Sequence, residues 1–312
     1  MILGQYIVML SHKITFLHQA ESNVKSNTRI KAYPDGSFEI LVASRPIFCT
    51  GWESAEPQAK RCVRKKSAAD AADLERARRR AAARVRDIAF CNEFAYFVTL
   101  TLDAKQIERY DIKPVLAKMR VWLDNRVRRR GLKYVLVPEH HKDGAIHFHG
   151  FFSAVGAEMV DSGTLSILGE KKPRRPRSAA QRAEWCAQGA HVVYNVADWA
   201  LGFSTAIPVY GEYSAAVSYC CKYVGKEGAK IGGRWYYSGG ALDGPSVDYA
   251  DMDLRELEAV GGKCFDLPEA GLSMCIWRGR VDVGGDCGGV LCGGAAAACG
   301  DWAVEDAPED CI

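Results

Sequence analysis

Two apolar runs, Tyr134-Val-Leu-Val137 and Ile146 through Phe152, flank the dipeptide Asp143-Gly144. Apolar, β-rich runs around Asp-Gly predict a β-hairpin. The loop length decides which side chains face each other. A two-residue loop at Asp143-Gly144 sets His140 opposite His147 and Pro138 opposite His149. A three-residue loop, Lys142-Asp143-Gly144, makes Gly144 a left-handed G1 bulge and sets Glu139 opposite His147 and Val137 opposite His149. A one-residue slip exchanges the whole face. We take the three-residue register, which gathers Glu139, His147 and His149 on one face and turns His140 to the other.

The same patterning orders the rest of the chain. Ile30 through Val42 forms a small hairpin turning at Pro34-Asp35-Gly36. Ser67 to Ala89 is an Ala/Arg-rich helix, read equally as a solvated face or as a helix along a DNA backbone. Phe97 to Leu102 is a strand. Pro114 then opens a helix with Val115, Met119, Trp122, Leu123 and Val127 at helical spacing. Arginines 126, 128, 129 and 130 crowd its last turns, and Gly131 stops it. Gly156 to Gln188 reads as a long basic insertion loop. His191 to Tyr194 is another strand, and Asn195 to Phe203 is a connection leading to strand Ser204 to Tyr210. A helix from Gly211 ends at Gly225, a natural stop residue. Gly232 to Gly240 is either an edge strand or an aromatic platform for bases. Beyond Asp251 the chain becomes rich in Gly, Ala and Cys and loses its periodicity. These elements predict an α+β fold, a central antiparallel sheet with helices packed on one face. The expected division is an N-terminal extension (1–57), a main domain (58–250) and a flexible tail (251–312).

Two histidines at i, i+2 on a strand share a face and can hold one ion through their imidazoles. Alone, such a pair is more readily explained as core histidines. Glu139 across the turn changes the balance, because two imidazoles, a carboxylate and open positions suit Mg²⁺ or Mn²⁺ acting on a phosphate. His141 is a substitute ligand or an outer partner. Downstream, Tyr219 and Tyr223 are four residues apart and share a helix face, with Lys222 and Lys226 as a second i, i+4 pair. A pair of tyrosines is by itself more often core packing. Beside a metal-bound phosphate and two ammonium groups, a phenol can act as a nucleophile.

Three elements together resemble the HUH superfamily of rolling-circle replication initiators, in the branch with two tyrosines. Phe97-Val-Thr-Leu-Thr-Leu-Asp103 resembles its first motif, His147-Phe-His149 its His-hydrophobe-His element, and Tyr219-Cys-Cys-Lys-Tyr223 its tyrosine motif. The likeness runs from about Arg84 to Gly240. It implies a core like that of the RRM and ferredoxin folds. It also implies an endonuclease that nicks and rejoins single-stranded origin DNA through a 5′-phosphotyrosine on Tyr219 or Tyr223. His147, His149 and Glu139 would hold the ion, and Lys222 would stabilise developing charge. A host helicase and DNA polymerase are the implied partners, since no G-x-x-x-x-G-K-[ST] loop is present. The competing readings are an initiator that binds an origin without cutting, and a relaxase or transposase of the same superfamily.

Net charge is only +3 over 312 residues, but it is unevenly spread. Basic clusters suit phosphate contacts, and Arg126, Arg129, Arg174, Arg175 and Lys226 are the candidate DNA-binding residues. The twelve cysteines lack zinc-site spacing and follow no secretory signal, so the expectation is a cytoplasmic protein of a bacterial host, with reduced thiols and no membrane span.

Overall fold

The computed structural model describes residues 24–50, 71–167, 170, 172–209, 213–226 and 228–280. The chain begins with strands β1 (Val24–Ser26), β2 (Thr28–Ala32), β3 (Ser37–Ala43) and β4 (Phe48–Thr50). Helix α1 (Ala71–Cys91), strand β5 (Tyr96–Thr101), helix α2 (Ile112–Arg130) and strands β6 (Tyr134–His140) and β7 (Ile146–Phe152) follow. Next come β8 (Met159–Ser166), α3 (Ala179–Ala187), β9 (His191–Val196), β10 (Ser204–Pro208), α4 (Tyr213–Tyr223) and β11 (Tyr237–Gly239). The last described elements are β12 (Ser246–Ala250), α5 (Leu254–Ala259), β13 (Lys263–Leu267) and β14 (Leu272–Arg280). The described residues fall into two compact units, 71–244 and 24–50 with 245–280.

The larger unit is built on a seven-stranded antiparallel sheet in the order β11-β6-β7-β5-β10-β9-β8. β5 and β6 both pair antiparallel with β7. They therefore run parallel to each other, and α2 makes the crossover between them in a split β-α-β arrangement. The local chemistry of α2 follows its sequence. Asp111 caps it by accepting a hydrogen bond from Lys113 N (2.9 Å), and the chain leaves the helix at Gly131. Val115, Met119 and Leu123 are fully buried against Leu100, Leu136 and Phe148.

The opposite face of the sheet is covered too. Val135, Val137 and Phe151 pack against Ala81, Val85 and Ile88 of α1 and Val217 and Cys220 of α4. This corrects the expectation of helices on one face only. The reason is legible in β6 and β7, whose apolar runs are continuous where alternation would mark a sheet solvated on one side. The expected insertion loop is also corrected in part. Residues 159–187 carry β8 and α3, with Arg174 N donating to Leu165 O (2.9 Å) and Ser178 capping α3. Tyr237–Gly239 forms the edge strand on β6.

The smaller unit is a five-stranded antiparallel sheet, β12-β2-β3-β14-β13, beside the two-stranded pair β1–β4. The β2–β3 hairpin turns at residues 34–36 as expected, with Ser37 N donating to Asp35 Oδ1 (3.0 Å). Its core is Ile30, Ile40, Val42, Leu257, Cys275 and Trp277. The flexible-tail expectation fails for residues 254–280, and so does the separate N-terminal extension: β14 pairs along β3, and the two segments build one sheet. The partners are far apart in sequence (239 residues for Glu39 and Arg278), so local pattern could not join them. Cys264 and Cys275 stand directly opposite on β13 and β14 and form a disulfide, which corrects the expectation that all thiols are reduced. The Gly/Ala/Cys-rich stretch past residue 280 and the start of the basic helix (67–70) lie outside the described residues. Among the described residues, no helix is long and apolar enough to cross a membrane.

Candidate active site

The β6–β7 hairpin adopts the three-residue loop. Glu139 stands opposite His147, and Val137 opposite His149. Gly144 takes φ +84°, a left-handed conformation that glycine adopts freely. Arg109 anchors the loop through Asp143 (2.9 Å). His147 and His149 therefore face the α1/α4 side of the sheet, with the parity of Phe151.

β5 completes the arrangement. Its Thr101 and Thr99 are the register partners of His147 and His149. Thr99 Oγ1 lies 3.1 Å from His149 Nδ1, and Thr101 Oγ1 lies 3.4 Å from His147 Nδ1. A hydroxyl both donates and accepts, so it can satisfy either tautomer of each ring. On its other side, His149 presents Nε2 to Glu139 Oε2 at 3.1 Å. Glu139 Oε1 accepts from Lys226 Nζ at 3.0 Å. Burial opposes ionisation of Glu139, but His149 and Lys226 outweigh it and hold the carboxyl below its usual range. Burial, reinforced by His149 and His141, lowers His147 to about 4. His147 is therefore neutral at ordinary pH, the state in which an imidazole ligates a metal. His141 stacks on His147 with ring centres 4.9 Å apart, as an outer neighbour.

Helix α4 lays its tyrosines on this site. The Tyr223 ring stacks on His149 at 4.6 Å, and Tyr219 meets Phe97 edge-to-face at 5.6 Å. The two rings pack edge-to-face at 5.0 Å, and the Tyr223 hydroxyl donates to that of Tyr219. Tyr223 is buried and Tyr219 half-buried. Burial and the bond to Tyr219 push the Tyr223 phenol well above its ordinary pKa.

One span of sequence, from the start of β5 to just past α4, thus carries the histidines, the carboxylate and both tyrosines. Residues 95–228 match the family model of the ORF2-type replication-associated protein. No match is found among curated proteins or solved structures. The family match agrees with a rolling-circle replication initiator.

Within this replication-associated segment, the expected site residues do not all converge. Among the described residues, no three His, Cys, Asp or Glu side chains form a closed metal cluster, because Glu139 is turned to His149 and Lys226. The donor chemistry still fits a divalent ion. A neutral imidazole, a second imidazole and an ionised carboxylate share one face, with both Nδ1 atoms anchored by threonines. Lys222 is exposed, whereas Lys226 reaches Glu139 and lies 5.6 Å from the centre of the Tyr223 ring. Arg126 pairs with Asp198 beside Trp122, on the helix that covers the opposite face of the sheet. Arg129 is exposed on that same helix. Arg174 pairs with Glu170 (2.9 Å), and Arg175 donates to Ser162 O (3.3 Å). Neither Arg126 nor Arg129 is brought to the histidine face. Sequence reasoning missed Thr99 and Thr101; their signal was the alternation Thr-Leu-Thr on the strand flanking the His-Phe-His strand.

Proposed function

We propose that the protein is a metal-dependent, sequence-specific endonuclease that nicks and rejoins single-stranded origin DNA to start rolling-circle replication, in the manner of the two-tyrosine HUH enzymes. The observation that carries this reading is the stacking of Tyr223 on His149 at 4.6 Å, with Glu139 on the far nitrogen of the same imidazole. A nucleophile of the right chemistry and a phosphate-polarising donor set occupy one spot. Neither the hairpin nor the tyrosine helix alone would suggest it.

His147, His149 and Glu139 would hold Mg²⁺ or Mn²⁺, which supplies Lewis-acid polarisation of the scissile phosphate. One phenol of the Tyr219–Tyr223 pair attacks phosphorus in line. The new bond is phosphorus to phenolic oxygen, and the bond that breaks is phosphorus to the 3′ oxygen. The phenolic proton leaves to solvent, directly or through the hydroxyl of the other tyrosine, and the departing 3′ oxygen takes up a proton. The products are a free 3′-hydroxyl that a host polymerase, working with a host helicase, can extend, and a 5′-phosphotyrosine that retains the bond energy for rejoining. The second phenol, held against the first, is positioned to cut the regenerated origin. Lys226, beside Glu139 and the Tyr223 ring, provides the positive charge that lowers the cost of a phenolate.

The test is a denaturing-gel assay with labelled single-stranded oligonucleotides tiled across the element's own origin, in Mn²⁺. Wild type is run beside Tyr219→Phe, Tyr223→Phe, the double variant and His147→Ala. A protein-linked 5′ product that needs metal and vanishes in the double variant is the expected result. Tight origin binding with no adduct on any oligonucleotide would replace this reading with a non-cutting initiator.

A further inference from the structure

The row of residues across the histidine end of the sheet continues past the catalytic hairpin. Glu139 on β6 is opposite His147 on β7, and His147 is opposite Thr101 on β5. Thr101 N donates to Phe203 O (2.8 Å), which extends by one residue the register that pairs Ser204 with Leu100. Phe203 therefore stands at the end of the row Glu139–His147–Thr101–Phe203.

Its side chain has no structural task among the described residues. Phe203 is 69% exposed, the most exposed of the large hydrophobic residues, and its ring meets no other described aromatic ring. Ser204 and Ala206 are buried, and Ala206 packs into the α2-side core. Strand alternation then directs Thr205 and Phe203 to the other face, the one that carries His147 and His149. Two strand spacings of roughly 4.8 Å separate His147 from Phe203 along this row. The tyrosines of α4 contact the neighbouring side chains Phe97 and His149, so this end of the sheet is left open beside the candidate site.

We propose that Phe203 is a stacking platform for an unpaired nucleobase, on the strand whose phosphate lies at His147 and Glu139. The inference rests on the single-stranded DNA reading above and adds a base-binding subsite to it. An exposed phenyl ring costs solubility and offers a π-face that any base can cover, which makes it an anchor that tolerates all four bases. An extended single strand crossing β6, β7, β5 and β10 would pass the phosphate site and reach this ring. A duplex, whose bases are stacked on one another, offers no face to it.

The test uses the full-length protein in EDTA, so that no cleavage intervenes, at low salt. The probe is a fluorescein-labelled oligo(dT) carrying a single 2-aminopurine scanned through successive positions. Wild type should quench 2-aminopurine at one position. Phe203→Ala should bind about tenfold more weakly and lose that quench, whereas Phe203→Trp should retain both. Thermal melts are expected to be alike, because the side chain is exposed. If Phe203→Ala binds and quenches as wild type does, the subsite is overturned while the single-strand reading stands. An equal loss on duplex DNA would also overturn it. Failure of wild type to bind single-stranded DNA at all would remove the single-strand reading itself.

Discussion

Thr99 holds His149 from behind: the threonine hydroxyl lies 3.1 Å from Nδ1, leaving Nε2 turned toward Glu139. A partner on the distal nitrogen fixes ring orientation and tautomer, and its loss typically weakens metal binding ten- to a hundredfold. Thr99→Val keeps the shape and removes the hydroxyl. It should weaken Mn²⁺ binding by about tenfold in calorimetry, while Thr99→Ser stays near wild type. Equal affinities for wild type and Thr99→Val would show that the hydroxyl plays no such part.

The two lysines of the tyrosine helix should behave differently. Lys226 sits 3.0 Å from Glu139 and beside the Tyr223 ring, whereas Lys222 is exposed. Lys226→Ala should slow cleavage on the order of a hundredfold, as removal of a charge-stabilising donor does, with Lys222→Ala much milder. Single-turnover rates on a fixed origin oligonucleotide decide it. The reverse order would restore Lys222 as the charge-stabilising residue.

Gly150 directly follows the histidines, and its place is set by space. A Cβ there would lie 1.9 Å from Val135 O, inside the β6–β7 pairing. Backbone cannot yield as a side chain can, so Gly150→Ala should cost about 3 kcal/mol, at the upper end of overpacking penalties. A thermal melt would register this as a loss of several degrees. An unchanged melt would mean that the two strands separate there without strain.

In the smaller unit, Glu39 is buried with Arg278 at 2.8 Å, Lys31 at 3.4 Å and Arg29 at 3.6 Å. Burial raises its pKa, but the three cations outweigh burial and the net shift is downward from the ordinary 4.5. A carboxyl with a lowered folded pKa stabilises above the unfolded value and loses that contribution as pH falls through the folded one. Denaturant melts should show stability falling as pH drops below about 4.5. Glu39→Gln should flatten that dependence and also weaken the fold at pH 7, because it leaves the cations facing a neutral side chain. Parallel pH curves for the two proteins would assign the acid loss elsewhere.

Much of the site was legible in order along the chain. Asp143-Gly144 set the loop, the loop set the register, and the register put Glu139 opposite His147. The tyrosine spacing put Tyr219 and Tyr223 on one helix face, because helical periodicity is a local property. The alternation Thr-Leu-Thr was equally visible, but its meaning depended on which strand lay beside it. The basic residues misled: Arg126 and Arg129 are close to the tyrosines in neither fold nor face, and a count of charges along a sequence carries no direction.

What the sequence determined by itself was therefore local and periodic: the hairpin, its register, the faces of the helices and the chemical types available for a phosphate. Tertiary structure alone decided that α4 would lie on the histidine face, that Lys226 rather than Lys222 would reach Glu139, and that residues 254–280 would close a sheet begun near the N-terminus. Those outcomes are set by contacts between distant segments, where burial of apolar faces on both sides of a sheet selects the partner. No repeat of three or two residues encodes that choice.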